Sequence, residues 1–202
     1  HGKSVNCGQI CVSPDYAMVP RESVDAFVTG VQSAFAKLYG QDTKGNPEYT
    51  AIVNDRHHQR MLAMLADAKA KGAQVISCGD DNDGRKMPLH IVTGCTDDMM
   101  VMKDEIFGPI LPVIPYDNMD EAAKYIVERP RPLALYCFSF DAAERETLLR
   151  RTHSGGVAIN DWGWADGPRP EIVRALLGGY AGVRPLPPGE RAALAVEGRE
   201  PA

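Results

Sequence analysis

The residues best suited to chemistry lie at the start of the chain. The stretch Val5-Asn6-Cys7-Gly8-Gln9-Ile10-Cys11 brings small and amide-bearing residues up to one cysteine, with Asn6 five residues before Cys11. A thiol so approached can attack a carbonyl while neighbouring amides donate hydrogen bonds. Only the thiolate is a good nucleophile, so such a site needs a lowered pKa or a base nearby. Against this stands the ordinary role of a cysteine as a small buried apolar residue. Cys7 and Cys11 are four apart and can share a helical face. A metal site would need two further ligands, and His57 and His58 are adjacent rather than spaced to chelate, so no metal is expected.

The bulk composition narrows the function. There are five cysteines, Cys7, Cys11, Cys78, Cys95 and Cys137. An odd, scattered set argues against a disulfide framework and fits a reducing, cytoplasmic setting. The length of 202 residues fits one sizeable domain, or one domain with an appendage. A net charge of -5 leaves no basic footprint for nucleic acid or an anionic membrane. No apolar run approaches the roughly 20 residues of a membrane span, and no secretion signal opens the chain. His1-Gly2-Lys3-Ser4 has no Met and reads as the middle of a longer sequence, so a fragment is expected. Gly2-Lys3-Ser4 matches the end of a phosphate-binding loop, but its glycine-rich cradle is missing.

The elements that must position Cys11 follow from periodicity and punctuation. Asp15 to Val19 reads as a strand between two prolines. Val24, Phe27, Val28, Val31, Phe35 and Leu38 fall at helical spacing, and Gly40 ends that helix. Asn54 caps a second helix to about Lys71, with Met61, Leu62, Leu65 and Ala68 as its stripe and Gly72 as its stop. His57 and His58 read as solvated residues of its first turns. Ala73 to Ser77 is a strand, Gly79 to Lys86 a surface loop, and Leu89 to Thr93 a strand. Ile110 to Tyr116 is an apolar strand, Met119 to Val127 a helix capped by Asn118, and Leu133 to Phe140 a buried strand. Asp141 caps a helix over Ala142 to Arg151, and Val157 to Asn160 is a strand after Gly155-Gly156. Strands alternating with helices predict a three-layer α/β domain with a largely parallel sheet. No glycine-rich dinucleotide fingerprint is present. After Trp164 the composition turns to Pro, Gly, Ala and Arg, so residues 1–164 read as the domain and 165–202 as a divergent tail. Glu171 to Leu177 and Glu190 to Val196 are expected as short helices, and no internal repeat is apparent.

Three strings, taken together, resemble the NAD(P)-dependent aldehyde dehydrogenase superfamily. They are Asn6-Cys7-Gly8-Gln9-Ile10-Cys11, Glu105-Ile106-Phe107-Gly108-Pro109 and Ser154-Gly155-Gly156-Val157-Ala158-Ile159-Asn160. Their order and separations fit the second half of that family's chain, over roughly residues 2 to 164. Cys11-Val12-Ser13-Pro14-Asp15-Tyr16 and Arg129-Pro130-Arg131-Pro132-Leu133-Ala134-Leu135-Tyr136 look like its coniferyl, aromatic or long-chain aldehyde branch. The resemblance implies that Cys11 attacks an aldehyde through a thiohemiacetal and a thioester, with hydride passing to NAD or NADP. It implies that Glu105 holds the nicotinamide ribose and that Phe107 packs near the nicotinamide ring. Asn6, Gln9 and Asn160 would lie in the substrate and oxyanion vicinity. The partner would be a small-molecule aldehyde, and the parent enzyme a homodimer or homotetramer. Singly, Glu105 reads as a solvated carboxylate, Phe107 as core and Asn160 as a strand-end residue.

The chain also departs from that family. The half expected to carry the cofactor sheet, the oxyanion Asn and a general-base glutamate is absent, and the family's Pro-Phe-Gly-Gly stretch does not follow Asn160. Asp161 to Pro168 and Ala175 to Tyr180 faintly resemble the end of aminoglycoside-phosphotransferase-like kinases. The rival readings are therefore an incompetent fragment or chimera, or a cysteine hydrolase pairing Cys11 with His57, His58, His90 or His153.

Overall fold

Side-chain caps set where three of the helices begin. In the computed structural model, which describes residues 1–80, 84–162 and 193–196, Asn54 accepts from the His57 amide at 2.9 Å and opens α2 (Asp55–Ala70). Helix α1 (Val24–Tyr39) precedes it and ends at Gly40, whose φ is +73°. Asn118 accepts from the Glu121 amide at 2.9 Å and opens α3 (Met119–Val127). Asp141 takes the amides of Ala143 and Glu144 at 2.7 and 3.2 Å and opens α4 (Ala142–Arg151). These are the caps that the sequence predicts, each stabilising by about 1 kcal/mol.

The buried faces differ in detail from the predicted stripes. On α1, Val28 and Phe35 turn inward, but Leu38 is 48% exposed. Tyr39 takes its place, packing its ring 5.3 Å from Phe35 and 4.8 Å from Tyr49. On α2 the inward residues are His58, Met61, Met64, Leu65 and Ala68, while Leu62 is exposed. His58 falls at helical spacing with Met61, Leu65 and Ala68, which carries it into the interior instead of into solvent.

Seven strands form one sheet among the described residues: β1 (Tyr16–Pro20), β2 (Gln74–Ser77), β3 (His90–Thr93), β4 (Ile110–Tyr116), β5 (Ala134–Phe138), β6 (Gly156–Ile159) and β7 (Ala193–Val196). Their order is β2-β3-β4-β1-β7-β5-β6. The β3-β4-β1 block is parallel, and so is β5-β6. The sheet turns antiparallel at β2 and at β7, which pairs with β1 on one side and β5 on the other. Leu133 and Phe140, expected inside a buried strand, flank β5 and are exposed. Ala193–Val196 is a strand where the sequence predicts helix, because the edges of β1 and β5 both supply its backbone partners. The expected helix Glu171 to Leu177 lies outside the described residues. Among the described residues no helix is long and apolar enough to cross a membrane.

Strand pairing fixes where the candidate residues meet. The segment holding Cys11 leads into β1, and the segment holding Glu105 leads into β4. These strands are parallel neighbours, with Ala17 beside Val113, so both segments lie at the same end of the sheet. Asn160 instead follows the C-terminal end of β6.

Candidate active site

The Cys11 segment is wound against its own preference. Asn6, Cys7 and Gly8 have φ of +50°, +56° and +70°, three successive residues in the left-handed region. Each non-glycine residue held there costs about 1–2 kcal/mol. Bonds from outside stabilise the turn. Gln9 is buried, and its side-chain amide donates to the Asn6 carbonyl at 3.0 Å and the Ala51 carbonyl at 3.2 Å. Its Oε1 accepts from the Val53 amide at 2.8 Å. Asn6 Nδ2 donates to the Gln9 carbonyl at 3.0 Å. Gln9 thus braces the approach to Cys11 onto residues 51 to 53, and Asn6 closes the turn onto Gln9.

On the other side of Cys11 the backbone is held just as firmly. The Val12 carbonyl accepts from the Tyr136 hydroxyl at 2.9 Å and from Trp162 Nε1 at 3.0 Å. Trp162 also lies against Gly2, where any added Cβ would fall 2.5 Å from its ring nitrogen. Sequence reasoning quoted Tyr136 and Trp162 only within longer strings and gave neither a role at Cys11. Only the fold shows that strand β5 and the end of the β6 segment reach the residue after Cys11.

Burial sorts the five thiols. Cys11 is the exposed one, whereas Cys7, Cys78 and Cys137 are buried and Cys95 is partly so. Desolvation pushes the Cys7 and Cys78 thiols up to about 12, and those of Cys95 and Cys137 up to about 11. Cys7 faces the Tyr49 hydroxyl and the Met87 carbonyl, each at 3.7 Å. The reading of Cys11 as a buried apolar residue is therefore overturned, and Cys7 fills that role instead.

The second string touches the first directly. A Cβ on Gly8 would fall 2.4 Å from the Gly108 carbonyl oxygen, so the two backbones approach as only glycine allows. Gly108 in turn lies under Met61 of α2. Asp15, four residues after Cys11, accepts from the Ile106 amide at 3.0 Å and lies 3.8 Å from the Lys3 ammonium. Both partners of that ion pair are buried. Glu105 is half-buried beside them. Burial raises its carboxyl pKa, the Asp15 charge adds to the rise, and Lys3 and Arg60 oppose it. Phe107 is 37% exposed and sits at φ +50°.

The third string is built differently. Asn160, at φ +54°, places its Oδ1 on the Ser139 amide at 2.9 Å and its Nδ2 on the Ser139 carbonyl at 3.1 Å. Its side chain stitches β6 to the end of β5. Of the histidines, His57 Nε2 meets the Phe107 carbonyl at 2.7 Å and His90 Nδ1 meets the Pro88 carbonyl at 2.8 Å. Both carbonyls accept only, so both ring nitrogens carry the proton, and neither can serve there as a base toward Cys11. Among the described residues no three His, Cys, Asp or Glu side chains group to hold a metal.

All four non-glycine residues with positive φ among the described residues fall inside the three strings. Strained backbone persists where surrounding structure over-determines it, and it concentrates at functional sites. Two residues apart on this held loop, the half-buried Glu105 carboxylate can accept hydrogen bonds from hydroxyls and the 37%-exposed Phe107 ring can pack on a flat group.

Comparison with known proteins places the fold. The profile of the aldehyde dehydrogenase family matches residues 1–174. The chain is 48% identical over 167 residues to a probable coniferyl aldehyde dehydrogenase of Caulobacter vibrioides, covering 80% of this chain and 34% of that protein. It is 42% identical over 165 residues to the coniferyl aldehyde dehydrogenase of a Pseudomonas species, covering 79% of this chain and 34% of the other. The substrate-bound structure of Staphylococcus aureus AldH superposes with a TM-score of 0.74 at 36% identity, covering 80% of this chain and 35% of that one. The chain thus spans about a third of the length of these relatives. From its matching profile and its fold, the chain belongs to the aldehyde dehydrogenase family.

Proposed function

We propose that residues 1–164 form the cysteine-bearing catalytic portion of an enzyme that oxidises an aromatic or long-chain aldehyde, coniferyl aldehyde-like, to its carboxylic acid. The observation that carries this reading is the exposed Cys11 three residues after a strained turn, Asn6–Gly8, whose Gly8 packs directly against Gly108 of the Glu105–Pro109 loop. The names of the coniferyl aldehyde dehydrogenase relatives support the substrate class. The Cys11 thiolate, its proton already given up to water, bonds to the aldehyde carbon, and as the carbonyl π bond opens its oxygen takes the negative charge. The Cys11 backbone N–H faces that charge, and the pinned Val12 carbonyl keeps it in place. Bound NAD or NADP supplies the hydride acceptor. Glu105 accepts hydrogen bonds from the nicotinamide ribose, and Phe107 packs its ring beside the nicotinamide. Water then cleaves the Cys11 thioester, releasing the acid and restoring the thiol. The working enzyme is cytoplasmic and a homodimer or homotetramer.

The test is aldehyde oxidation coupled to nicotinamide reduction, with coniferyl aldehyde and a long-chain aliphatic aldehyde as substrates and Cys11→Ser as control. Turnover that disappears in Cys11→Ser supports the reading. Equal turnover in the variant refutes the nucleophile assignment. Because the chain spans a third of its relatives, absence of turnover by the 202-residue protein favours the second reading, a fold without activity of its own. Thioesterase activity without nicotinamide would favour a cysteine hydrolase.

A further inference from the structure

The Glu105–Phe107 loop is gripped almost entirely through its backbone. The Arg60 guanidinium donates to the Glu105 carbonyl at 2.6 Å and to the Ile106 carbonyl at 2.8 Å. His57 Nε2 donates to the Phe107 carbonyl at 2.7 Å, and its ring lies edge-on to the Phe107 ring at 6.4 Å. Asp15 accepts from the Ile106 amide at 3.0 Å. Four main-chain groups on three successive residues are therefore held by three side chains. Phe107, at the end of this run, is the residue in the left-handed region.

We propose that His57 and Arg60 of α2 are positioning residues that fix Glu105 and Phe107 for a nicotinamide nucleotide. This rests on the function proposed above. His57 and Arg60 lie three apart, two turns and one turn ahead of the buried Met64, with the buried His58 between them in sequence. The core face of α2 thus anchors the helix, and its first turns extend a rigid pair of donors to the loop. Arg60 suits this task because its planar fork reaches two carbonyls at once and is always charged. His57 keeps its bond as the neutral Nε2–H tautomer and as the imidazolium, since a donor is needed in either form. The strain at Phe107 explains why so many bonds converge there. Without them the loop relaxes, and the ring and carboxylate lose their fixed relation.

The experiment compares the 202-residue chain with His57→Leu, Arg60→Met and the donor-retaining variants His57→Gln and Arg60→Lys. Two readouts are taken on each: NADH affinity by fluorescence, and hydrogen exchange at the Ile106 amide. A misplacement of about 1 Å can weaken a precise site by roughly a hundredfold. We expect His57→Leu and Arg60→Met to weaken NADH binding by about 10- to 100-fold and to speed Ile106 exchange. His57→Gln should regain most of the loss, because its amide still donates. NADH affinity and Ile106 exchange unchanged from wild type in both truncations would overturn the inference, even if stability fell. Wild-type protein that binds no NADH, with Ile106 exchange still responsive, overturns the nicotinamide reading but leaves the clamp standing.

Discussion

Gly8→Ala tests whether the Cys11 turn and the cofactor loop form one unit. Gly8 has φ of +70°, and its added Cβ would fall 2.4 Å from the Gly108 carbonyl oxygen and 2.7 Å from its carbon. Both neighbours are backbone, so no side chain can swing away. Gly94 is the matched control, with φ of +72° and open space around its Cβ position. Gly94→Ala meets only the backbone cost of about 1–2 kcal/mol, partly offset by the stiffer unfolded chain. Gly8→Ala carries the same cost and adds about 1–3 kcal/mol of overpacking. For a chain of this size each kcal/mol shifts Tm by about 2–4 °C. Gly94→Ala should therefore lower Tm by roughly 2–4 °C and Gly8→Ala by roughly 6 °C or more. Because the clash pushes the Cys11 turn away from Gly108, alkylation of Cys11 should change rate in Gly8→Ala and stay at the wild-type rate in Gly94→Ala. Equal melting shifts with unchanged Cys11 reactivity would show that the two loops do not bear on each other.

Other expectations follow from the same geometry. Brief native alkylation with iodoacetamide should place one adduct on Cys11, seen by intact mass, and none in Cys11→Ser; modification of Cys7 or Cys137 first would contradict their burial. Glu105→Gln should stabilise the protein near neutral pH. Burial raises the Glu105 pKa in the fold, so its ionised form opposes folding above that pKa and its protonated form does not below the ordinary carboxylate range. The gain in Tm should thus vanish on acidification, and a gain independent of pH would contradict the cause. Phe107→Gly should leave Tm near wild type or raise it, since relief of φ +50° offsets loss of a 37%-exposed ring, while NADH affinity falls. Tyr136→Phe and Trp162→Phe should each destabilise by about 1 kcal/mol by denaturant unfolding. Their shared acceptor predicts that the double variant loses more than the sum, as a double-mutant cycle would reveal.

Sequence alone determined the four helices of this protein and most of its strands, because their signals are local. Apolar spacing, the caps Asn54, Asn118 and Asp141, and the stops Gly40 and Gly72 act within one turn of chain, and the structure places helices between them. The three strings were legible for the same reason, as was the family that they resemble. Contacts between distant segments were decided only by the tertiary structure. The pairing of β1 with β4 brings Cys11 and Glu105 to one end of the sheet, across about ninety residues of chain. His57 and His58 read alike in sequence, yet helix phase buries one and aims the other at the Phe107 carbonyl. Met64 takes the place of Leu62 in the buried stripe because it lies three residues after Met61 and four before Ala68, so helix phase turns it inward and Leu62 outward. Ala193–Val196 became a strand because two open sheet edges offered it partners, a tertiary cause that overrides local propensity. The division between Cys7 and Cys11 has the same origin. Five cysteines are chemically alike in the sequence, and burial leaves one of them exposed on a turn held from both sides.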